Sequence, residues 1–192
     1  ARLVDPPTDR TLWSDTYDGS VEDILDLQSR IAQAVVREVR VKVSEGEQTS
    51  MSRPSRKVNP QAYELYLSAR QGFYLFNTSF TMALWDSSTA KLQRAIDIEP
   101  DNALYHASLA SGYRQIIDAS LVAFTEAFPK MKTAAETALR LDPELAESQI
   151  AAGFVDCWQY NFESALARSS RALELSPGNA EASRWRGSIL TI

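Results

Sequence analysis

The chain has 192 residues and a formal net charge of −5; with 44% hydrophobic and 23% charged residues it can bury a globular core and is not intrinsically disordered. One cysteine, one histidine and only 7 glycines exclude a Cys/His zinc site, an intrachain disulfide and a glycine-rich dinucleotide loop, so we predict neither a metal nor a cofactor. The acidic balance argues against direct nucleic-acid binding, and no apolar run approaches the roughly 18 residues that insert into a membrane.

A β-hairpin is predicted at the start of the chain, over residues 1–17. Leu3 and Val4 precede a turn-rich stretch, and a run of aromatic and β-favouring residues follows it. A lone hairpin is marginal in water, and the chain opens on Ala1 without an initiator methionine. We therefore expect a fragment of a longer polypeptide.

A helix is predicted next, over residues 20–39, because apolar residues from Val21 to Val39 recur at helical spacing. Hairpin and helix together make residues 1–43 the C-terminal part of a small α/β unit. The following segment, residues 44–59, is polar and contains serine, glycine and proline, which predicts a linker.

From residue 60 onward strand signals disappear and a short block repeats. Alanine stands five residues before each of Pro100, Pro143 and Pro177, in the blocks AIDIEP, ALRLDP and ALELSP. The last two prolines are 34 residues apart, a period typical of stacked helical repeats. A small alanine lets two helices approach closely, and proline ends the second of them. The pattern predicts a mainly α-helical solenoid.

These blocks resemble the tetratricopeptide repeat (TPR), a 34-residue helix-turn-helix unit with small residues at positions 8 and 27 and proline at position 32. Gly153, Ala172 and Pro177 occupy those positions in the third repeat. The resemblance implies about 3.5 repeats within residues 60–192, at 60–100, 101–145, 146–179 and, as a half repeat, 180–192.

The first two repeats are longer than the family unit. Pro100 and Pro143 are 43 residues apart, nine more than in the last interval. We expect the extra residues near 117–128 in the second repeat and around 74–84 in the first, as longer helices or loops.

The resemblance also implies a binding groove, because the first helix of each TPR lines the concave face of the solenoid. The groove is predicted to be aromatic and to contain arginines, residue types that dominate binding hot spots. It lacks the Lys and Asn of the carboxylate-clamp TPRs at positions 5 and 9, where the first repeat has Tyr66 and Arg70. The candidate partner-binding residues are Tyr63, Tyr66, Arg70, Phe73, Arg114, Phe154, Trp158 and Arg184.

Alternatives remain for these side chains. Half or more of the aromatic residues in the first repeat would instead pack against a neighbouring helix, and the arginines would be ordinary solvated charges. His106 is interpreted as a packing residue and Cys157 as a small, partly buried hydrophobe. No set of catalytic residues is visible, and the pattern leaves Asp156, which replaces the usual tyrosine of the repeat, unexplained.

The N-terminal residues resemble the end of a TolB N-terminal-like domain, through the segments ARLVD, LWSDTYD and DILDLQSRIAQAV. In bacterial multidomain regulators that domain often precedes TPRs and follows an adenylyl cyclase, winged-helix or kinase domain. The resemblance favours the bacterial cytoplasm, or the periplasm where the parent protein is membrane-anchored.

The sequence thus predicts a non-enzymatic module that binds a protein or peptide partner in the TPR groove, as a scaffold within a bacterial signalling or transcription regulator. The alternative is a self-association element that forms a homodimer and brings together attached cyclase or DNA-binding domains. The incomplete hairpin and the half repeat at residues 180–192 motivate that alternative.

Overall fold

The computed structural model describes residues 2–5, 9–17, 27–28, 30–32, 34–35 and 58–190. The chain forms two compact units, Ala1–Pro60 and Gln61–Ile192. Most of the predicted linker at 44–59 and most of the predicted helix at 20–39, including both of its ends, lie outside the described residues.

The first unit contains the predicted hairpin. Strands β1 (Arg2–Asp5) and β2 (Arg10–Ser14) pair antiparallel, with a register shift in the middle of β1. Asp9 adopts a left-handed backbone with φ of 51° in the turn, a conformation that aspartate tolerates better than most residues. The residues described between 27 and 35 are helical, as the spacing of apolar residues predicts.

The second unit, as far as it is described, consists of helices arranged in successive antiparallel pairs. Within it α3 packs against α4 and α5 against α6, and α3 also contacts α5, the first helix of the next pair. The helices are α1 (Pro60–Ser79), α2 (Met82–Ile98), α3 (Ala103–Asp118), α4 (Phe124–Leu141), α5 (Ala146–Trp158), α6 (Phe162–Leu175) and α7 (Ala180–Ile189).

The repeated Ala-to-Pro blocks mark the ends of the second helices. Helices α2, α4 and α6 each end two residues before a proline of the block. The alanine five residues before each proline is fully buried, so it lies where helices approach most closely. Asn102 and Asn179 then start α3 and α7, because their side-chain oxygens accept hydrogen bonds from the backbone N–H groups of Leu104 and Ala182.

The extra residues of the first two repeats lengthen helices. Helix α1 has 20 residues and α5, its counterpart in the third repeat, has 13. Helix α4 has 18 residues and its counterpart α6 has 14. When the Ala-to-Pro blocks are aligned, the four additional residues of α4 fall at its N-terminal end, from Phe124 to Ala127.

Two glycines allow close packing between first helices. A Cβ atom at Gly112 would lie 2.5 Å from the Phe73 ring, and one at Gly153 would lie 1.8 Å from the Trp185 ring. Each aromatic ring therefore fills the space that a larger residue would occupy. Among the helices that the structure describes, none combines the length and the apolar character that crossing a membrane requires.

Candidate functional site

A cavity of about 510 Å³ extends along the first helices of the successive pairs, and we call it the groove. Side chains from α1, α3, α5 and α7 all line it, and it lies within the second unit. It therefore occupies the face on which the resemblance predicted partner binding.

Six of the eight predicted partner-binding residues line the groove, and two, Tyr63 and Trp158, do not. The six span three complete helix pairs and the half repeat. They are Tyr66, Arg70, Phe73, Arg114, Phe154 and Arg184.

The two tyrosines of α1 belong mainly to the core. Tyr63 and Tyr66 are both buried, with ring centroids 5.8 Å apart. The Tyr66 ring also packs 5.2 Å from that of Tyr105 in α3, and burial raises the pKa of Tyr66 above its ordinary value. Packing against the neighbouring helix thus accounts for much of this aromatic set, which is the alternative that helical spacing left open.

Trp158 lies at the C-terminal end of α5 and contacts α4 instead of lining the groove. Its ring packs against Phe124 of α4, with centroids 5.1 Å apart, and the side chain is 40% exposed. Phe124 stands in the four residues by which α4 is lengthened. Its position depends on that extra turn, and no periodicity in the sequence signals the contact.

The floor of the groove is aromatic. Phe73 is buried against Gly112, and Phe154 packs on Trp185 with ring centroids 4.9 Å apart. The Arg114 guanidinium lies 4.5 Å from the centroid of the Phe154 ring, a cation–π geometry. These contacts fix the floor before any ligand enters.

Arg114 is already engaged by acidic residues. Its Nη1 atom contacts the carboxylate of Asp118, four residues further along α3, and its Nη2 atom lies 3.6 Å from the Glu181 carboxylate in α7. Neither acid is among the partner-binding residues predicted from the sequence. The i,i+4 spacing signals Asp118, and Glu181 stands at a position of the half repeat that faces the groove.

Arg70 and Arg184 lie on the first and last helices of the groove, and both are exposed. The Arg70 guanidinium sits 5.6 Å from the Tyr66 ring centroid. Within the described residues neither arginine forms an ion pair. They are the groove arginines that can accept an acidic partner group without giving up an existing ion pair.

The structure gives a local environment to three residues that the sequence analysis singled out, Asp156, His106 and Cys157. Asp156 accepts hydrogen bonds from Ser164 and Arg168 of α6, at 2.7 and 2.5 Å. His106 Nε2 donates to the carbonyl oxygen of Pro100 at 2.8 Å. Burial raises the pKa of the Cys157 thiol, which disfavours the reactive thiolate. In the described residues no group of three or more acidic, histidine or cysteine side chains is placed to hold a metal ion.

A curated sequence resembles part of the chain. No protein-family model matches the chain. A putative adenylate cyclase from Rhizobium meliloti (strain 1021) is 36% identical over 111 residues, which is 57% of this chain. The chain spans 18% of the length of that relative, so the likeness concerns a small part of it.

Comparison with solved structures gives TPR domains. The first TPR of Spaghetti (RPAP3), bound to an HSP90 peptide, superposes with a TM-score of 0.53 and 19% identity, covering 70% of this chain and 96% of that one.

Two fungal TPR domains also have a similar fold. The Sgt2 TPR domain from Aspergillus fumigatus gives a TM-score of 0.51 with 15% identity, covering 70% of this chain and 80% of that one. The TPR2B domain of yeast Sti1, in complex with an Hsp70 peptide, gives 0.50 with 16% identity, covering 69% and 98%. These likenesses and the seven described helices from Pro60 onward confirm the predicted fold class. The chain is a mainly α-helical TPR solenoid.

Proposed function

We propose that the chain is a non-enzymatic interaction module that holds a peptide segment of a protein partner in the groove. The observation that carries this proposal is the lining of a single cavity by the first helices of all the described repeats. An extended segment laid along it meets the aromatic floor formed by Phe73 and Phe154. The exposed arginines Arg70 and Arg184 then lie toward its two ends.

The fold neighbours support a peptide ligand by analogy, since two of them are complexes with HSP90 or Hsp70 peptides. The groove differs from a carboxylate clamp in having Tyr66 and Arg70 at the positions that bear lysine and asparagine there. We therefore propose a peptide partner whose sequence differs from that of the ligands of carboxylate-clamp TPRs. Arginine and aromatic contacts would anchor it, because both give large desolvated contact areas.

The wider setting is proposed to be a bacterial signalling or transcription regulator. The 36% identity to part of a putative adenylate cyclase supports this setting. The proposed role is to bring a partner protein to attached regulatory domains. The likeness of residues 1–43 to the TolB N-terminal-like domain stays a prediction, and so does the compartment.

The test is selection from a phage-displayed library of random 12-residue peptides, followed by calorimetry on synthetic copies of the enriched peptides. We expect Arg70→Ala and Arg184→Ala each to weaken binding about tenfold, the loss expected for one charge-assisted hydrogen bond. Arg186→Ala is the matched control. It lies on the same helix as Arg184 and is exposed, but it does not line the groove.

Equal affinities in all three variants would show that the peptides do not bind in the groove. Enriched peptides that compete with one another and lose affinity only in the Arg70 and Arg184 variants would support it.

Self-association has less support from the second unit. The exposed face of α7 carries polar side chains, among them Ser183, Arg184, Arg186 and Ser188, so it offers little apolar area for a dimer. Light scattering on the complete chain distinguishes the two functions, since a concentration-dependent dimer would favour this second one.

A further inference from the structure

One acidic side chain of the groove lacks a partner in the described part of the chain. Glu147 lies in the first turn of α5, lines the groove and is half-buried. Four other acidic side chains are half-buried between residues 58 and 190, and each accepts a hydrogen bond or forms an ion pair. They are Glu99, Asp142, Asp156 and Glu181. Among the described residues, no hydrogen bond or ion pair holds the Glu147 carboxylate.

Glu181 shows how the chain provides a cation for an acid at this position. Glu147 and Glu181 each stand four residues after a proline of the Ala-to-Pro blocks, so they occupy the same position in α5 and α7. The Nη2 atom of Arg114 lies 3.6 Å from the Glu181 carboxylate. Because Arg114 belongs to α3, the cation for α7 comes from the first helix two repeats earlier.

The first repeat has no cation at the position of Arg114. Phe73 stands four residues after Ala69, as Arg114 stands four residues after Ala110, and both alanines are buried at the eighth position of their repeats. Phe73 is therefore the residue of α1 that corresponds to Arg114, and it lies two repeats before Glu147. A phenylalanine ring cannot form an ion pair, so the chain does not repeat for α5 the contact that it makes for α7.

Tyr66 indicates where the Glu147 carboxylate lies. Burial is the main cause that raises the pKa of Tyr66; the Arg70 guanidinium lowers this pKa, and the Glu147 carboxylate raises it. Both charges therefore lie close to the same ring in the groove, and within the described residues no ion pair joins them. A ligand that reaches Tyr66 meets one cation and one anion, each able to bind a group of opposite charge.

We propose that Glu147 is a specificity-determining residue of the groove and binds a lysine or arginine side chain of the peptide partner. This inference rests on the proposed function, and it adds a basic residue to the acidic groups expected at Arg70 and Arg184. A half-buried carboxylate is screened by water and salt less than an exposed one, so it gains more from a cation. A bound peptide without a basic residue would cover Glu147 and leave it unpaired, which costs free energy.

The probes are synthetic copies of the peptides enriched by the phage selection, and versions in which each lysine or arginine in turn is replaced by glutamine. We expect the enriched peptides to share one basic residue, and its replacement to weaken binding to the complete chain about tenfold in calorimetry. Glu147→Gln should weaken binding of the unaltered peptide by a similar factor. It should cause no further loss with the glutamine peptide, because both changes remove the same contact.

Glu163→Gln is the matched control. Glu163 is the acidic residue in the first turn of α6, so its replacement changes the start of a helix in the same way, but it does not line the groove. We expect this variant to bind as the unaltered chain does. Glu147→Lys should bind a peptide with glutamate at the shared basic position more tightly than the unaltered chain binds that peptide. The glutamine peptides keep the test valid if a Glu147 variant fails to fold, because they leave the chain itself unchanged.

Three results would overturn this inference while the enriched peptides still lose affinity with Arg70→Ala and Arg184→Ala. They are the lack of a shared basic residue in the peptides, unchanged affinity of the glutamine peptide, and equal affinities of Glu147→Gln and Glu163→Gln. A selection that enriches no peptide, or peptides that bind all the groove variants equally, would overturn the proposed function and this inference together.

Discussion

Asp156 joins the two helices of the third pair. Its carboxylate accepts hydrogen bonds from Ser164 and from Arg168 Nε, both in α6, and the Asp156 and Arg168 side chains are 15% and 28% exposed. Arg168 also donates to Gln149 at 3.4 Å. The repeat usually has tyrosine at the position of Asp156. Here a charged contact between α5 and α6 takes the place of ring packing.

We predict that Asp156→Ala lowers the free energy of unfolding by about 1–3 kcal/mol, because the partly buried Arg168 guanidinium would lose its carboxylate partner. Chemical denaturation monitored by circular dichroism measures this loss. Glu144→Ala is the control, since Glu144 and its partner Arg171 are 49% and 42% exposed. Its loss should stay within about 0.5 kcal/mol. Equal losses would show that the Asp156 pair contributes no more than a surface pair.

Contacts between successive first helices depend on which residue stands at the eighth position of each repeat. Gly153 and Gly187 occupy that position in the third repeat and in the half repeat, 34 residues apart. A Cβ atom at Gly153 would lie 1.8 Å from the Trp185 ring, whereas a Cβ atom at Gly187 would have no atom within 4 Å. Glycine at this position therefore allows close helix packing in α5, at Gly153, but is not needed for packing in α7, at Gly187.

Alanine at these two glycines should accordingly have opposite effects on stability. Gly153→Ala forces the buried Trp185 ring to move and should cost about 1–3 kcal/mol of unfolding free energy. Gly187→Ala meets no obstacle within α7 and should add about 0.5–1 kcal/mol through helix propensity. Thermal unfolding of the two variants side by side tests this. A loss in both would mean that another residue covers Gly187.

Local signals in the sequence predicted the helix ends well and the groove less completely. The Ala-to-Pro blocks act through local sterics, so they located the ends of α2, α4 and α6. Helical spacing determines which face a residue lies on, but not how far the neighbouring helix covers it. For that reason Tyr63 was predicted to line the groove, although it packs in the core. Trp158 was also predicted to line the groove, but it packs against Phe124 in the added turn of α4, and no periodicity in the sequence signals that turn.

The described helices of the solenoid are held together by contacts between neighbouring helices. Phe73, buried against Gly112, joins α1 to α3 near the start, and Trp185, buried against Gly153, joins α7 to α5 at the end. In such an architecture stability is close to a sum of repeat and interface contributions. Damage at one end should therefore weaken its neighbours first and spare the other end.

Amide hydrogen exchange on Phe73→Ala and Trp185→Ala tests this expectation. Each change removes a buried aromatic side chain and should cost about 3–5 kcal/mol. We expect Phe73→Ala to speed exchange in α1 to α3 and Trp185→Ala to speed it in α5 to α7, with the opposite end in each case exchanging as in the unaltered chain. The two variants serve as controls for each other. Uniform loss of protection in both would show that the repeats unfold as one cooperative body.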